Sequence, residues 1–199
     1  MDWKSLLSNH SKDINQHNIL ETNSETGEKA SLFFKNKAVC TQESGYILVE
    51  GPDAEVFLQG QVTCDVSNVV QGASVNGAHL NPQGKVIFSF LLSKLKKELI
   101  ILDVNKPILA TAMSSLEKYA VFSKVTLSLS ENFYSFLISS KASDDLPKLT
   151  EHSSIQKLSK GIIYSIVPKI LFSKWFDLIK DNITLIHNDT SRYLSLIHI

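Results

Sequence analysis

Residues 74–92 read SVNGAHLNPQGKVIFSFLL. Two runs of strand-forming residues, 74–80 and 85–92, flank Asn81-Pro82-Gln83-Gly84. In such a turn proline fixes one backbone angle and glycine takes a positive one, so the stretch predicts a β-hairpin. A hairpin makes part of the sheet antiparallel, which excludes an all-parallel doubly wound fold. A third β-type run follows at 98–104. Asn105 and Pro107 then supply an N-cap and an early-turn proline for a helix reaching Tyr119, with Leu109, Met113 and Leu116 on one face. On the other side, 46–49 reads as a strand stopped by Gly51-Pro52, and 53–60 as a short helix with Asp53 and Glu55 at its positive end. Short strands are expected at 32–34, 121–129, 133–138 and 183–187. Further strands at 162–172 break at Pro168, and a helix capped by Ser173 carries Trp175, Phe176, Leu178 and Ile179. A helical turn is expected around Pro147. The class is α+β with a mixed, largely antiparallel sheet.

The chain has 199 residues, 43% of them apolar and 20% charged, enough for one substantial core or two small ones. Twenty basic residues balance twenty acidic ones, so no global field draws the chain to nucleic acid or an anionic membrane. The most basic run, 94–97, reads as a solvated hairpin turn. Residues 1–16 lack the apolar core of a signal peptide, and no stretch of about 20 apolar residues occurs, which points to a cytoplasmic protein without a membrane span. Cys40 and Cys64 are expected as reduced thiols, and the six histidines form no metal-ligand spacing. Residues 1–30 are mostly polar and form a surface segment. The folded region is 31–193, with a sub-boundary expected near residue 130.

Three stretches carry a family resemblance: GPDAEVFLQGQVTCDV at 51–66, AHLNPQGKV at 78–86 and LEKYAVFSKVT at 116–126. The first resembles the pattern G-x-D-A-x-x-[FY]-[LM]-Q-G-Q-[VT]-[TS]-x-D-V of the YgfZ family, bacterial relatives of the glycine-cleavage T-protein. The third repeats that family's K-Y-A-V-F-S-K-V. The resemblance covers about residues 45–130. It implies a folate-binding fold with a ferredoxin-like unit, and tetrahydrofolate or another reduced folate as the ligand. It also implies an accessory role for iron-sulfur enzymes and tRNA modification, with iron-sulfur enzymes as indirect partners and no direct contact with nucleic acid.

Glycines at 51, 60, 72, 77 and 84 beside polar residues suit close approach to a flat heteroaromatic ligand. The candidate folate-binding residues are Tyr46, Gln61, Asn76, Asn81, Ser89 and Asn105; no residue is assigned a catalytic or metal-ligating role. Gln59 and Gln61 equally suit a helix end or a neighbouring loop, Asn81 a turn, Asn105 an N-cap, and Tyr46 and Trp175 the core. Departures from the related patterns are informative. The T-protein hairpin resembles N-x-x-G-G-[IV]-x-D-D, and its essential aspartate falls among positions held here by Phe88 and Ser89, so the acid needed for aminomethyl transfer is missing. The T-protein's Val-Asn pair is similar to Val104-Asn105. Ser44 stands where the YgfZ family often carries tryptophan, and Tyr46 offers a ring two residues on.

The family's K-G-C-[YF]-x-G-Q-E motif is absent, which suits an N-terminal fragment whose C-terminal part is missing. Residues 194–199, LSLIHI, read as the translation of a transposon-based sequencing adaptor. A folate-dependent one-carbon transferase and a ligand-free interaction domain are the alternative functional readings.

Overall fold

The computed structural model describes residues 37–40, 44–139, 154–159, 162–179 and 184–186. The expected strand at 32–34, the turn around Pro147 and the segments at 1–30 and 194–199 lie outside the described residues. The strands are β1 (Lys37–Cys40), β2 (Ser44–Glu50), β3 (Ser74–Leu80), β4 (Val86–Lys96), β5 (Leu99–Asn105), β6 (Thr126–Ser130), β7 (Phe133–Ser139), β8 (Ser154–Ser159), β9 (Ile162–Pro168) and β10 (Thr184–Ile186). The helices are α1 (Ala54–Gln59), α2 (Leu109–Ala120) and α3 (Phe172–Ile179).

These strands form two five-stranded sheets. The first has the order β3-β4-β5-β2-β6 and the second β10-β1-β7-β9-β8. The β1–β10 pairing is parallel and the other ladders are antiparallel, so the sheets are mixed and largely antiparallel, as the hairpin implied. The chain crosses from the first sheet to the second between Ser130 and Phe133.

Alternation along the strands gives each sheet two faces. On the first sheet, Ile47, Val49, Phe88, Phe90, Leu92, Ile100, Leu102 and Val104 pack under Phe57 and Leu58 of α1 and Ala112 and Leu116 of α2. Its opposite face, with Tyr46, Leu91, Leu95 and Ile101, packs on Tyr164 and Ile166 of the second sheet. The far side of the second sheet holds Phe136, stacked on Trp175 of α3 at 4.4 Å between ring centres, with Phe172 beside both. The layers therefore run helices, sheet, sheet, helix. Trp175 is core, as its place on an amphipathic helix suggested.

Local differences from the sequence reading have physical causes. The β4 strand runs on to Lys96, and Lys94 is half-buried in it rather than in a turn, because its ammonium meets Glu55 of α1 at 2.5 Å. The turn is pushed to Lys97–Glu98. Residues 121–125 are not strand: Val121 and Phe122 are exposed in a turn after α2, and β6 begins only at Thr126. Pro107 sits in a 3₁₀ turn, Lys106–Ile108, that leads into α2. The last helix begins at Phe172, so Ser173 lies inside it rather than at its cap.

Gly51 and Gly77 stand where an added side chain would collide. At Gly51, φ is +135° and a Cβ would lie 2.3 Å from the Lys124 carbonyl oxygen. At Gly77 a Cβ would strike the Phe90 ring at 2.6 Å and Cys64 Sγ at 2.8 Å. Gly60 and Gly84 meet no such obstruction. No helix among the described residues is long and apolar enough to cross a membrane.

Candidate functional site

Strand register decides which candidate residues share a surface, because paired residues in adjacent strands project to the same side. An inner row across the first sheet runs Asn76–Leu91–Asp103–Tyr46–Ser130. An outer row, two residues along each strand, contains the pairs Ala78–Ser89 and Asn105–Ser44. The Phe90–Val104 pair between these rows carries Ser89 and Asn105 to neighbouring places one step outward. Tyr46, Asn76, Ser89 and Asn105 thus fall on one face, the face turned to the second sheet. Asn76, Ser89 and Asn105 are exposed, whereas Tyr46 is buried. The face is polar and open at the β3–β4 and β5-end side and closed at its centre.

The closed centre contains a group that the motifs do not mark. Asp103 is buried on β5. Its Oδ2 accepts from Ser135 Oγ of β7 at 2.6 Å and from the Tyr164 hydroxyl of β9, and Ser44 also bonds to the carboxyl. Tyr46 Oη lies 2.8 Å from Ser135 Oγ. Ser135 has one proton and gives it to Asp103, so the Tyr46 hydroxyl is the donor of that pair. Burial pushes the Asp103 carboxyl up to about 7, against the opposing pull of the hydrogen bonds from Ser135 and Ser44.

Gln61 and Asn81 are not brought to this face. Gln61 follows α1, and its backbone carbonyl accepts from Nδ1 of the buried His79 at 2.7 Å. His79 pairs with Phe88, and its ring lies against Phe88 at 5.3 Å, on the helix side of the sheet. Asn81 holds the hairpin turn: its Oδ1 accepts from the backbone N–H of Gln83 at 3.0 Å and of Lys85 at 2.9 Å. Gln59 clasps the neighbouring loop, its Oε1 accepting from Val66 N–H at 2.7 Å and Ser67 N–H at 3.3 Å. Asn105 makes no side-chain capping bond to the 3₁₀ turn after it, so its amide is not committed to an N-cap.

The two positions aligned with the T-protein aspartates diverge. Phe88 is fully buried in the helix-side core, and Ser89 is exposed on the opposite face. Cys64 is a buried free thiol whose pKa burial raises, which makes it a poor nucleophile at neutral pH. Among the described residues no three His, Cys, Asp or Glu side chains gather where they could hold a metal ion.

Asp103, Ser135 and Tyr164 are absent from the candidate set read off the sequence. A usable signal was present: in Leu99-Ile-Ile-Leu-Asp-Val-Asn105 an acid interrupts a run apolar on both faces, and a buried acid needs donors. His79 lacked a signal, since one histidine in an alternating strand reads as an ordinary strand residue.

No family model matches the chain. It is 35% identical over 88 residues to the tRNA-modifying protein YgfZ of Photorhabdus laumondii, covering 44% of this chain and 26% of that protein. It is 29% identical over 136 residues to the tRNA-modifying protein YgfZ of Aliivibrio fischeri, covering 68% of this chain and 42% of that one. The chain therefore spans less than half the length of these relatives. In fold it resembles the glycine cleavage system aminomethyltransferase T from Bartonella henselae, with a TM-score of 0.61 at 16% identity, covering 79% of this chain and 50% of that structure.

Proposed function

We propose that the chain, similar over part of its length to YgfZ proteins and in fold to an aminomethyltransferase T, is a YgfZ-like protein that binds a reduced folate on the open polar end of its first sheet, as part of a protein supporting tRNA modification and iron-sulfur enzymes. The observation that carries the reading is the convergence of Asn76, Ser89 and Asn105 on two adjacent rows of one face. A pterin edge presents donors and acceptors side by side, and carboxamides and hydroxyls answer both. Tyr46 supports this end from within, bonded to Ser135. Gln61 and Asn81 would serve the site indirectly, the first at the His79 contact and the second by shaping the hairpin.

One-carbon transfer is the weaker reading. The acid that aminomethyl transfer requires has no counterpart at the hairpin: one aligned position is a core phenylalanine and the other an exposed hydroxyl.

Fluorescence titration of the full-length protein with tetrahydrofolate tests the proposal, with saturable binding expected. Absence of saturable binding overturns it. A glycine-cleavage assay is expected to show no folate-dependent aminomethyl transfer. Turnover that survives Ser89→Ala would mean that another residue supplies the acid.

A further inference from the structure

We propose that the Asp103 cluster is a proton-operated joint between the two sheets, closed while the Asp103 carboxyl carries a proton and loosened when that proton leaves. The inference stands on the cluster's geometry and does not depend on folate.

Asp103 and Tyr46 belong to the first sheet, Ser135 and Tyr164 to the second. Three side-chain hydrogen bonds that cross between the sheets run through this group: Tyr46 to Ser135, Ser135 to Asp103 and Tyr164 to Asp103. Around them, among the described residues, Leu91, Leu95 and Ile101 of the first sheet meet Ile166 of the second, with Leu48, Leu99, Phe133 and Leu137 packed alongside. The polar cluster thus sits inside this contact, where a change in its charge acts on both sheets.

The neighbours settle which form of the carboxyl this place favours. From β2 the facing groups are Ser44 and Tyr46, from β4 Leu91, from β7 Ser135 and from β9 Tyr164. The titratable ones among them are the two tyrosines. Lys94, the lysine of β4 with a described carboxylate partner, lies on the opposite face against Glu55. His79 also lies on the helix side. The described partners of Asp103 are all hydroxyls. Hydroxyls donate to a carboxylate and so favour it, while one of them can rotate to accept the single proton of the acid, so the cluster stays bonded in the protonated form. Desolvation penalises only the charged one. With no cation among its described partners to offset it, the buried anion draws water or separation of the sheets, and burial places this change near neutrality rather than in the ordinary aspartate range. Ser44 pairs with Asn105, so loosening is transmitted directly to the open polar end of the same face.

Infrared difference spectroscopy on the full chain between about pH 5 and about pH 9, with Asp103→Asn as the reference, reads the proton directly. The expected result is a protonated carboxyl band that disappears as pH rises through neutrality and is absent from the variant. In Ser135→Ala, which removes one donor to the carboxylate, the band should persist to higher pH. A carboxyl ionised across the whole range, or one titrating at the same pH in the parent and Ser135→Ala, overturns the proposal. Amide exchange at Tyr46 and Tyr164, compared with Asp103→Asn at each pH, reads the joint itself. Faster exchange in the parent on the alkaline side alone is expected, and equal exchange throughout overturns the loosening. If the asparagine variant fails to fold, the parent's own band against Ser135→Ala still decides.

Discussion

The two faces of the first sheet are made of the same five strands and differ in how they are buried. The helix-side face is apolar throughout its centre, with Phe88, Phe90, Leu92, Ile100, Leu102 and Val104 beneath α1 and α2. The face toward the second sheet has Asp103 at its centre, hydroxyls around it and exposed amides at its end. The first face gains stability from area removed from water, and its apolar centre carries no titrating group. The second gains from matched donors and acceptors, which makes it responsive to protons and ligands and costly to disturb by half. Strand alternation lets one run of seven residues, Leu99–Asn105, serve both faces.

The largest expected effect lies on the apolar face. Leu102 is fully buried there, and Leu102→Ala should lower the unfolding free energy by about 2 to 5 kcal/mol in a denaturant titration, with little change in its pH dependence. An effect below about 1 kcal/mol would show that this face is not the main source of stability.

The next effect separates the faces by pH. With Asp103 near 7 in the folded chain against an ordinary value of 3.8, the unfolded chain releases its proton first as pH rises. The native chain thus holds more protons between those two values, so stability is full below about 4, falls toward about 7 and levels off above it. At about 1.4 kcal/mol per unit the loss is no more than about 5 kcal/mol. Asp103→Asn should flatten this ramp. Parallel ramps in the parent and the variant would assign the pH dependence elsewhere.

A smaller effect is expected at the open end of the polar face. Asn105→Ala should weaken tetrahydrofolate binding by about 1 to 3 kcal/mol, if the amide pairs with a buried pterin edge. Because its side chain makes no capping bond, thermal stability should stay close to the parent's. Unchanged affinity with unchanged stability removes Asn105 from the site.

Much of the architecture was legible in the residues. Asn81-Pro82-Gln83-Gly84 between two β runs announced the hairpin, and the β-type run at 98–104 announced its neighbour, because composition and turn chemistry are local properties. Lys94 was misplaced because its partner Glu55 lies 39 residues away, and sequence spacing does not disclose such an ion pair. Asp103 escaped for the same reason: its donors Ser135 and Tyr164 come from a different sheet, 32 and 61 residues on. Of the candidates named from the motifs, strand register puts Tyr46, Asn76, Ser89 and Asn105 on a common face, since each occupies a strand of the same ladder system. It did not bring Gln61 and Asn81 there, as one ends a helix and the other occupies a turn.

The smallest expected effect concerns Asn81, which stands outside both faces and so calibrates them. Its side-chain carbonyl accepts from the Gln83 and Lys85 N–H groups, while its backbone N–H donates to Lys85 O and its backbone carbonyl accepts from Gly84 N–H. Asn81→Ala removes the side-chain acceptor but leaves both backbone bonds. The freed N–H groups lie at an exposed turn where water replaces the lost partner, so the cost is that of an ordinary hydrogen bond, about 0.5 to 1.5 kcal/mol. Gly84, with φ of +78°, still supplies the positive dihedral the turn needs. The hairpin should therefore persist with a slightly lower melting temperature, and folate affinity should fall less than in Asn105→Ala. Thermal unfolding and folate titration of the two variants side by side check this ordering. A greater loss of affinity in Asn81→Ala, at equal stability, would move the ligand from the open polar rows to the tip of the hairpin.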